Sequence, residues 1–175
     1  MIRIQIILIF VLFVVLNKVQ EAVFRKHNLE VTGTVAVTPG IFKVGKLCLA
    51  FAWLASVVQA AGVNLRFVPV PHSAELLALA LFYAGFAITA LSYLHLGSAN
   101  KIGLPQEATT LKTGGMFIID IASCIYTANP VVLLFTAVAM NTYHKIILAE
   151  EKFLLDRFGP AYAAYTARVK RYFIF

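Results

Sequence analysis

The side chains that could do chemistry are few, and they lie in apolar surroundings. Asp120 is the only acid between residues 114 and 130, and an acid within hydrocarbon is costly and therefore usually functional. The alternative is that a shortened helix brings Asp120 close to the lipid headgroups. His95 and His144 fall near helix ends on one side of the predicted bundle, so they could ligate a b-type haem. Structural histidines held by hydrogen bonds are the commoner case.

An adjacent acid pair, Glu150 and Glu151, follows a long apolar segment that starts at Pro130. Twenty residues of helix rise about 30 Å, roughly the hydrocarbon thickness of a bilayer. The pair should therefore emerge at one membrane interface, facing the connection 97–115, whose glycines and proline predict a loop. A solvated helix face would explain the same two acids, so the pair alone does not define a site.

The composition identifies the class of protein. Of the 175 residues, 61% are hydrophobic and only 13% are charged, which is outside the usual range of soluble domains. The chain is therefore predicted to be an integral membrane protein with a single domain, 1–175. Its net charge of +7 does not indicate nucleic-acid binding, because no soluble domain is present to carry a basic groove. Cys48 and Cys124 lie in apolar segments without metal-ligand spacing, so they predict neither a disulfide nor a zinc site.

The apolar segments predict an all-α, multi-pass transmembrane helical bundle. A helix needs about 20 residues to cross a bilayer, and four segments are long enough: 2–20, 41–63, 73–96 and 130–155. Three of these spans lie within the first 96 residues. A fifth segment of about a dozen apolar residues is too short to cross, and we interpret it as one arm of a helical hairpin with the last span. Thr127 or Asn129 should cap that last helix, and Pro130 suits its first turn.

The basic residues predict an orientation. Cytoplasmic loops carry an excess of lysine and arginine, and sorting the 15 basic residues by segment leaves only Arg3 and Arg66 on one side. The N-terminus should therefore lie outside and the C-terminal tail in the cytoplasm. The residues on the cytoplasmic side are Lys18, Arg25, Lys26, Lys43, Lys46, Lys101, Lys112, Lys145, Lys152, Arg157, Arg168, Lys170 and Arg171.

The C-terminal tail predicts two short helical pieces. Gly159 fits a helix C-cap, and Pro160 can open a second helix. This second helix carries tyrosines among arginines and lysine, a composition suited to lying in an anionic membrane interface. It would be a cytoplasmic amphipathic helix, and composition alone favours simple anchoring of the chain as its role. Its aromatic and basic residues are Tyr162, Tyr165, Arg168, Lys170, Arg171 and Tyr172.

Two motifs in the last hundred residues or so carry a resemblance. The tail reads E-E-x-x-L-x-x-x-F-G-x-x-Y-x-x-Y-x-x-x-V-x-R over 150–171, and G-L-P-Q-E-A-T-T-L-K-T-G-G-M-F precedes it at 103–117. They resemble the C-terminal signature and the L-x-T-x-G-x-Y cofactor entry of the isoprenylcysteine carboxyl methyltransferase family, including its bacterial members. The resemblance implies a multi-pass enzyme, in a bacterial inner membrane, that transfers a methyl group from S-adenosylmethionine to a lipophilic acceptor, often a prenylcysteine carboxylate.

The resemblance also implies roles for individual residues. The acid that closes the cofactor pocket would be Glu150, with Glu151 as a second candidate, and the aromatic cofactor contact would be Phe117, where the family usually has tyrosine. The arginine that holds the substrate carboxylate would fall on Ile146, and the neighbouring Lys145 could replace it as a point charge. The first cofactor segment would be Thr109, Thr110, Leu111 and Lys112.

The chain departs from the family directly after Phe117. Members continue with Arg, then His or Asn, Pro, any residue and Tyr, whereas Ile118, Ile119 and Asp120 follow here. A full span needs about 20 residues, so the short arm lacks about the length of this motif plus one helical turn. Since the missing motif would form a wall of the cofactor site, we expect weak or absent activity.

Methyl transfer from a sulfonium to a carboxylate needs no general base, because the acceptor is already ionised. Such an enzyme contributes alignment, holding the donor carbon and acceptor oxygen about 3 Å apart and away from water. By the resemblance, Glu150 would suit the cationic ammonium or sulfonium, and the segment 109–117 would cradle the other end of the cofactor. The acceptor's lipid tail would enter laterally between spans. The alternative is a non-catalytic membrane helix bundle that binds lipid or a partner.

Overall fold

The computed structural model describes the backbone of residues 1–26, 39–96 and 106–167. Side chains are described at 1–22, 40–93, 114–149, 151–160, 162–164, 166 and 167. These ranges contain no strand, which confirms the all-α class. The helices are α1 (Ile2–Lys26), α2 (Pro39–Ala60), α3 (His72–Leu96), α4 (Gln106–Thr127), α5 (Pro130–Phe158) and α6 (Pro160–Thr166).

Within the described ranges, four helices are long and apolar enough to cross a membrane: α1, α2, α3 and α5. α4 is 22 residues long, and among the described side chains its apolar part is Gly114–Thr127, which overlaps the short fifth segment of the prediction. A helix that is long and apolar enough to cross a membrane exposes more apolar surface than a water-soluble protein usually does. The chain therefore has the helix lengths and surface of a membrane protein.

The predicted loop 97–115 is wrong in its second half, because α4 already begins at Gln106. Gly115 lies inside this helix, although glycine costs about 1 kcal/mol there relative to alanine. The reason is the close approach of α3. A Cβ atom on Gly85 would lie 2.7 Å from the Gly115 carbonyl oxygen, and one on Gly115 would lie 2.8 Å from the Gly85 carbonyl oxygen. Small residues at such a crossing let two helix backbones meet.

The helices pack in pairs that differ from their order in the chain. α4 packs most extensively on α3, whereas α5 packs mainly on α2, and α1 contacts α3 and α2. A two-residue turn, Ala128 and Asn129, joins α4 to α5, so these two helices run in opposite directions. We call the end of the bundle that contains this turn the Arg66 end, because Arg66 contacts it. The opposite end is the Glu151 end.

An aromatic cluster joins α1, α2 and α3 in the core. The Trp53 ring centroid lies 4.6 Å from that of Phe13 and 5.9 Å from that of Phe10. Phe82 continues the cluster at 5.6 Å from Phe10 and 6.3 Å from Tyr126 of α4. The rings meet tilted or edge-on, as the quadrupoles of aromatic pairs favour. This packing fixes the Trp53 indole where it can reach α4.

Asn129 fixes the turn between α4 and α5. The Val131 amide donates a hydrogen bond to its Oδ1 at 2.8 Å, so Asn129, rather than Thr127, is the N-cap of α5. The Nδ2 atom of Asn129 donates to the Leu65 carbonyl oxygen at 2.6 Å. One side chain therefore caps α5 and ties the connection between α2 and α3 to the turn.

Replacing Asn129 with alanine should lower the free energy of unfolding by about 1 to 2 kcal/mol, because a helix loses its N-cap and the Leu65 carbonyl loses a donor. Asn129→Ser is the matched control, since serine can cap the helix but is too short to reach Leu65. We expect serine to restore about half of the loss. Thermal unfolding in detergent, followed by circular dichroism, measures the difference. Identical unfolding of all three proteins would contradict this role of Asn129.

Gly159 ends α5 as predicted. Its φ of 53° lies in the left-handed region that favours glycine, and its N–H donates to the Leu155 carbonyl oxygen at 2.8 Å. The short helix α6 starts directly afterwards at Pro160. Residues 168–175 lie outside the described part of the chain, so the predicted amphipathic interface helix stays a prediction.

Candidate functional site

Phe117 is the predicted cofactor residue on α4 whose side chain is described, and it contacts α5. Its ring centroid lies 6.4 Å from that of Tyr143, with the two rings nearly perpendicular. The side chain is half-buried. The position where the family usually has tyrosine therefore forms part of the contact between α4 and α5. The side chains of Thr109, Thr110, Leu111 and Lys112 lie outside the described residues, and their backbone belongs to α4.

The contact between Phe117 and Tyr143 sets the relative depth of α4 and α5. Thr110 lies seven residues from Phe117 toward the Glu151 end, and Glu150 lies seven residues from Tyr143 in the same direction. At 1.5 Å per residue, both positions are about 10 Å beyond the contact. The backbone therefore places the predicted cofactor segment and the predicted acid at the same depth. The Glu150 side chain lies outside the described ones, and Glu151 is half-buried.

Lys145 and Ile146 differ in their surroundings. Ile146 is buried with 5% of its surface exposed, whereas Lys145 is exposed. Adjacent residues of a helix point about 100° apart, so the lysine does not occupy the buried position where the family's arginine would fall. The role of Lys145 in holding a substrate carboxylate stays a prediction, and it would require a carboxylate that approaches from the outer face of α5.

Asp120 is buried in the bundle, with none of its surface exposed. The Trp53 Nε1–H donates a hydrogen bond to its Oδ1 atom at 2.8 Å, which links α2 to α4. Its Oδ2 atom has no hydrogen-bond partner among the described residues. A buried acid with one orphaned oxygen is costly. Asp120 is therefore enclosed by helices, its depth in the membrane stays a prediction, and its tryptophan partner is not evident from the sequence.

The buried serine and threonine hydroxyls of α3 and α4 are satisfied within their own helices. Each hydroxyl donates to a backbone carbonyl one turn earlier, as serine and threonine do in apolar helices. These bonds measure 2.7 to 2.9 Å and explain the polar residues without a ligand. The pairs are Thr89 to Gly85, Ser92 to Thr89, Ser123 to Ile119 and Thr127 to Ser123.

The described residues contain no cluster of metal-binding side chains, and one of the two histidines considered for haem lies outside them. No group of three His, Cys, Asp or Glu residues in the described ranges could hold a metal ion. Cys48 is buried, Cys124 is half-buried, and both are free thiols. His144 is half-buried, while the His95 side chain lies outside the described residues, so the two-histidine haem ligation stays untested.

The Arg66 end holds a polar cluster centred on Arg66. Arg66 bridges three elements: its Nη2 lies 2.5 Å from Glu75 Oε1, and its Nε donates to the Tyr126 carbonyl oxygen at 3.3 Å. Its guanidinium also lies 5.4 Å from the Tyr126 ring centroid. The signal in the sequence is that Arg3 and Arg66 are the only basic residues assigned to this side.

Two arrangements could therefore act on other molecules. One is the paired segments of α4 and α5 toward the Glu151 end, whose residue types suit a cationic cofactor, because a carboxylate and two threonine hydroxyls can accept hydrogen bonds from an ammonium group. The other is the arginine and tyrosine cluster at the Arg66 end. A scan of the chain against family models gives no match, and searches of curated proteins and of solved structures give none either.

Proposed function

We propose that this chain is a membrane-embedded methyltransferase that uses S-adenosylmethionine and acts on a lipophilic acceptor carboxylate similar to an isoprenylcysteine. The observation that carries the proposal is the common depth of Thr110 on α4 and Glu150 on α5, which follows from the contact between Phe117 and Tyr143. These two positions, 40 residues apart in the sequence, thus lie at one level of the bundle.

In this proposal the chain's own residues bind the cofactor and orient it toward the acceptor. The bound cofactor supplies a methyl group activated by a sulfonium. Glu150 attracts its cationic end, and the threonines and backbone of 109–112 bind its other polar groups. Phe117 and Tyr143 close the apolar floor of the site and exclude water. These residues would hold the cofactor so that its methyl group can pass from sulfur to a carboxylate oxygen of the acceptor, and no residue of the chain would have to move a proton.

The proposed orientation places the Glu151 end in the cytoplasm of a bacterial inner membrane, where soluble S-adenosylmethionine is available. The support is the distribution of basic residues: Lys18, Lys43 and Lys152 lie toward the Glu151 end, and Arg3 and Arg66 lie at the other. The lipid tail of the acceptor would then reach the site laterally from the bilayer.

The test is binding of S-adenosylmethionine to the purified full-length chain in nanodiscs, measured by saturation-transfer NMR. Because the chain lacks the family's Arg-(His/Asn)-Pro-x-Tyr motif, we expect a Kd of about 1 mM, equivalent to about 4 kcal/mol. Glu150→Gln removes the carboxylate charge and should weaken binding about tenfold. Glu151→Gln is the matched control and should leave binding within about twofold.

Several outcomes decide the proposal. Absence of any S-adenosylmethionine signal in the wild-type chain, or equal signals in wild type and Glu150→Gln, would reject the site. A micromolar Kd would support the site and reject the expected impairment. Transfer of a labelled methyl group to a prenylcysteine analogue in the same nanodiscs would establish the reaction itself.

A non-catalytic helix bundle that binds lipid or a partner is the second candidate. It is favoured by the use of two motif residues in packing: Gly115 contacts α3, and Phe117 contacts Tyr143. A chain that does not bind S-adenosylmethionine but retains a stable fold in nanodiscs would favour this candidate over the methyltransferase.

A further inference from the structure

We propose that the Arg66 end binds the phosphate of an anionic lipid between the Arg3 guanidinium and the Tyr126 hydroxyl. The lipid's acyl chain would lie along the apolar wall that α1 and α3 form beside them. This site is at the opposite end of the bundle from Glu150. It does not depend on the proposed methyl transfer, and each can fail without the other.

Two cavities adjoin at this end, and Arg3 lines both. One has a volume of about 640 Å³ and lies between α1, α3 and Tyr126. The other has a volume of about 610 Å³ and lies beneath the connection between α2 and α3, next to Arg66. Each is large enough for a lipid headgroup. The lining of the first cavity combines polar residues, among them Arg3, His72, Glu75 and Tyr126, with the apolar residues Ile2, Leu76 and Leu79.

The charges at the cavities favour an anion. The Arg66 guanidinium already pairs with the Glu75 carboxylate at 2.5 Å, and the other carboxylate oxygen of Glu75 lies 3.5 Å from His72 Nδ1. No carboxylate among the described residues lies within ion-pair distance of Arg3. Two arginines therefore lie near one acid, Glu75, and the positive charge that it does not balance is on Arg3. A guanidinium binds phosphate through paired N–H donors.

The Tyr126 hydroxyl supplies a second, independent indication of a ligand. Tyr126 is 1% exposed, and its hydroxyl has no hydrogen-bond partner in the described part of the chain, although the residue lines the cavity. Contacts with Arg66 on the ring and on the backbone carbonyl keep the side chain in place. Leaving such a donor unsatisfied costs free energy, and a phosphate oxygen held by Arg3 would satisfy it.

The apolar wall distinguishes a lipid from free phosphate. Leu76 is 48% exposed although it lines the same cavity as Arg3. Since α1 and α3 are both long enough to cross a membrane, their exposed apolar faces meet hydrocarbon. A lipid at this point would therefore have its phosphate beside Arg3 and its chains beside Leu76. Inorganic phosphate would leave this wall unused.

The first experiment is native mass spectrometry of the full-length chain released from nanodiscs that contain equal amounts of phosphatidylglycerol and phosphatidylcholine. We expect phosphatidylglycerol to be retained preferentially. Tyr126→Phe and Arg3→Gln should each reduce its retention about tenfold, since each removes one hydrogen-bonded contact to a charged group. Lys43→Gln, which removes an exposed cation from α2 at the Glu151 end, is the matched control and should change retention less than twofold.

The second measurement separates binding from folding. Because no described residue accepts or donates a hydrogen bond at the Tyr126 hydroxyl, Tyr126→Phe should unfold at the same temperature as the wild type, or higher, in lipid-free detergent. Added phosphatidylglycerol should raise the unfolding temperature of the wild type but not of this variant. The proposal is overturned by equal retention of the two lipids, by wild-type retention in Tyr126→Phe, or by equal stabilisation with inorganic phosphate alone.

Discussion

Replacing Gly115 with leucine should prevent α3 and α4 from packing against each other, with a larger loss of stability than at any exposed position. The two helices meet at Gly115 and Gly85, where an added Cβ atom would lie less than 3 Å from a backbone carbonyl oxygen. Backbone atoms cannot turn away as a flexible side chain can, so the helices themselves must separate. This crossing is the most extensive contact between helices in the described bundle.

The expected size of the effect follows from the size of the side chain. Gly115→Ala should cost about 2 to 3 kcal/mol, and Gly115→Leu should cost more, because overpacking of a tight interface forces backbone shifts. Gly40→Ala is the matched control: Gly40 lies in α2, and an added methyl group there would meet no atom of another described element within 4 Å, so alanine should be neutral or slightly stabilising. Thermal unfolding in detergent gives the comparison. A Gly115→Ala chain as stable as wild type would disprove the close crossing.

A second variant separates packing from cofactor binding. Gly85 lies at the same crossing but on α3, outside the motif that resembles a cofactor entry. If Gly115 acts only in packing, Gly85→Ala and Gly115→Ala should lower stability and S-adenosylmethionine binding to the same extent. A selective loss of binding in Gly115→Ala would assign Gly115 a contact with the cofactor as well.

The features predicted correctly from the sequence are those set by local chemistry. The spans follow from apolar length, since a helix in hydrocarbon must satisfy its own backbone and present apolar side chains. The N-cap at Asn129 and the C-cap at Gly159 follow from residue types that favour those backbone conformations. None of these features depends on which helix packs against which.

The features missed depend on contacts between distant residues. Gly115 resembles a helix breaker until Gly85 is placed beside it, so the start of α4 could not be predicted from local signals. The partner of Asp120 is Trp53, 67 positions earlier in the chain. Arg66 reaches Tyr126 across 60 positions. Neither pair leaves a pattern in the spacing of the sequence, because each exists only through the packing of helices.

Replacing Trp53 with phenylalanine should be the second most damaging change, because it leaves a buried acid without a hydrogen-bond donor. Trp53 Nε1 is the partner of Asp120 Oδ1, and Asp120 Oδ2 has none among the described residues. Hydrogen bonds between membrane helices contribute up to about 1.7 kcal/mol, and an orphaned buried group costs about 1 to 3 kcal/mol. We therefore expect Trp53→Phe to cost about 2 to 3 kcal/mol, including some lost ring packing on Phe13.

A double-mutant cycle with Asp120→Leu separates the hydrogen bond from the packing. In the wild type, Asp120→Leu leaves the indole N–H unpaired but also removes the orphaned oxygen, so we expect a loss of only about 1 kcal/mol. In the Trp53→Phe background the same change removes a buried acid that has no donor, and stability should rise. The packing lost in Trp53→Phe is the same with and without Asp120→Leu, so it cancels from the cycle. A loss of stability from Asp120→Leu of equal size in both backgrounds would show that the two side chains are not coupled. If Asp120→Leu destabilises the wild type but stabilises Trp53→Phe, the hydrogen bond from Trp53 offsets the cost of burying Asp120.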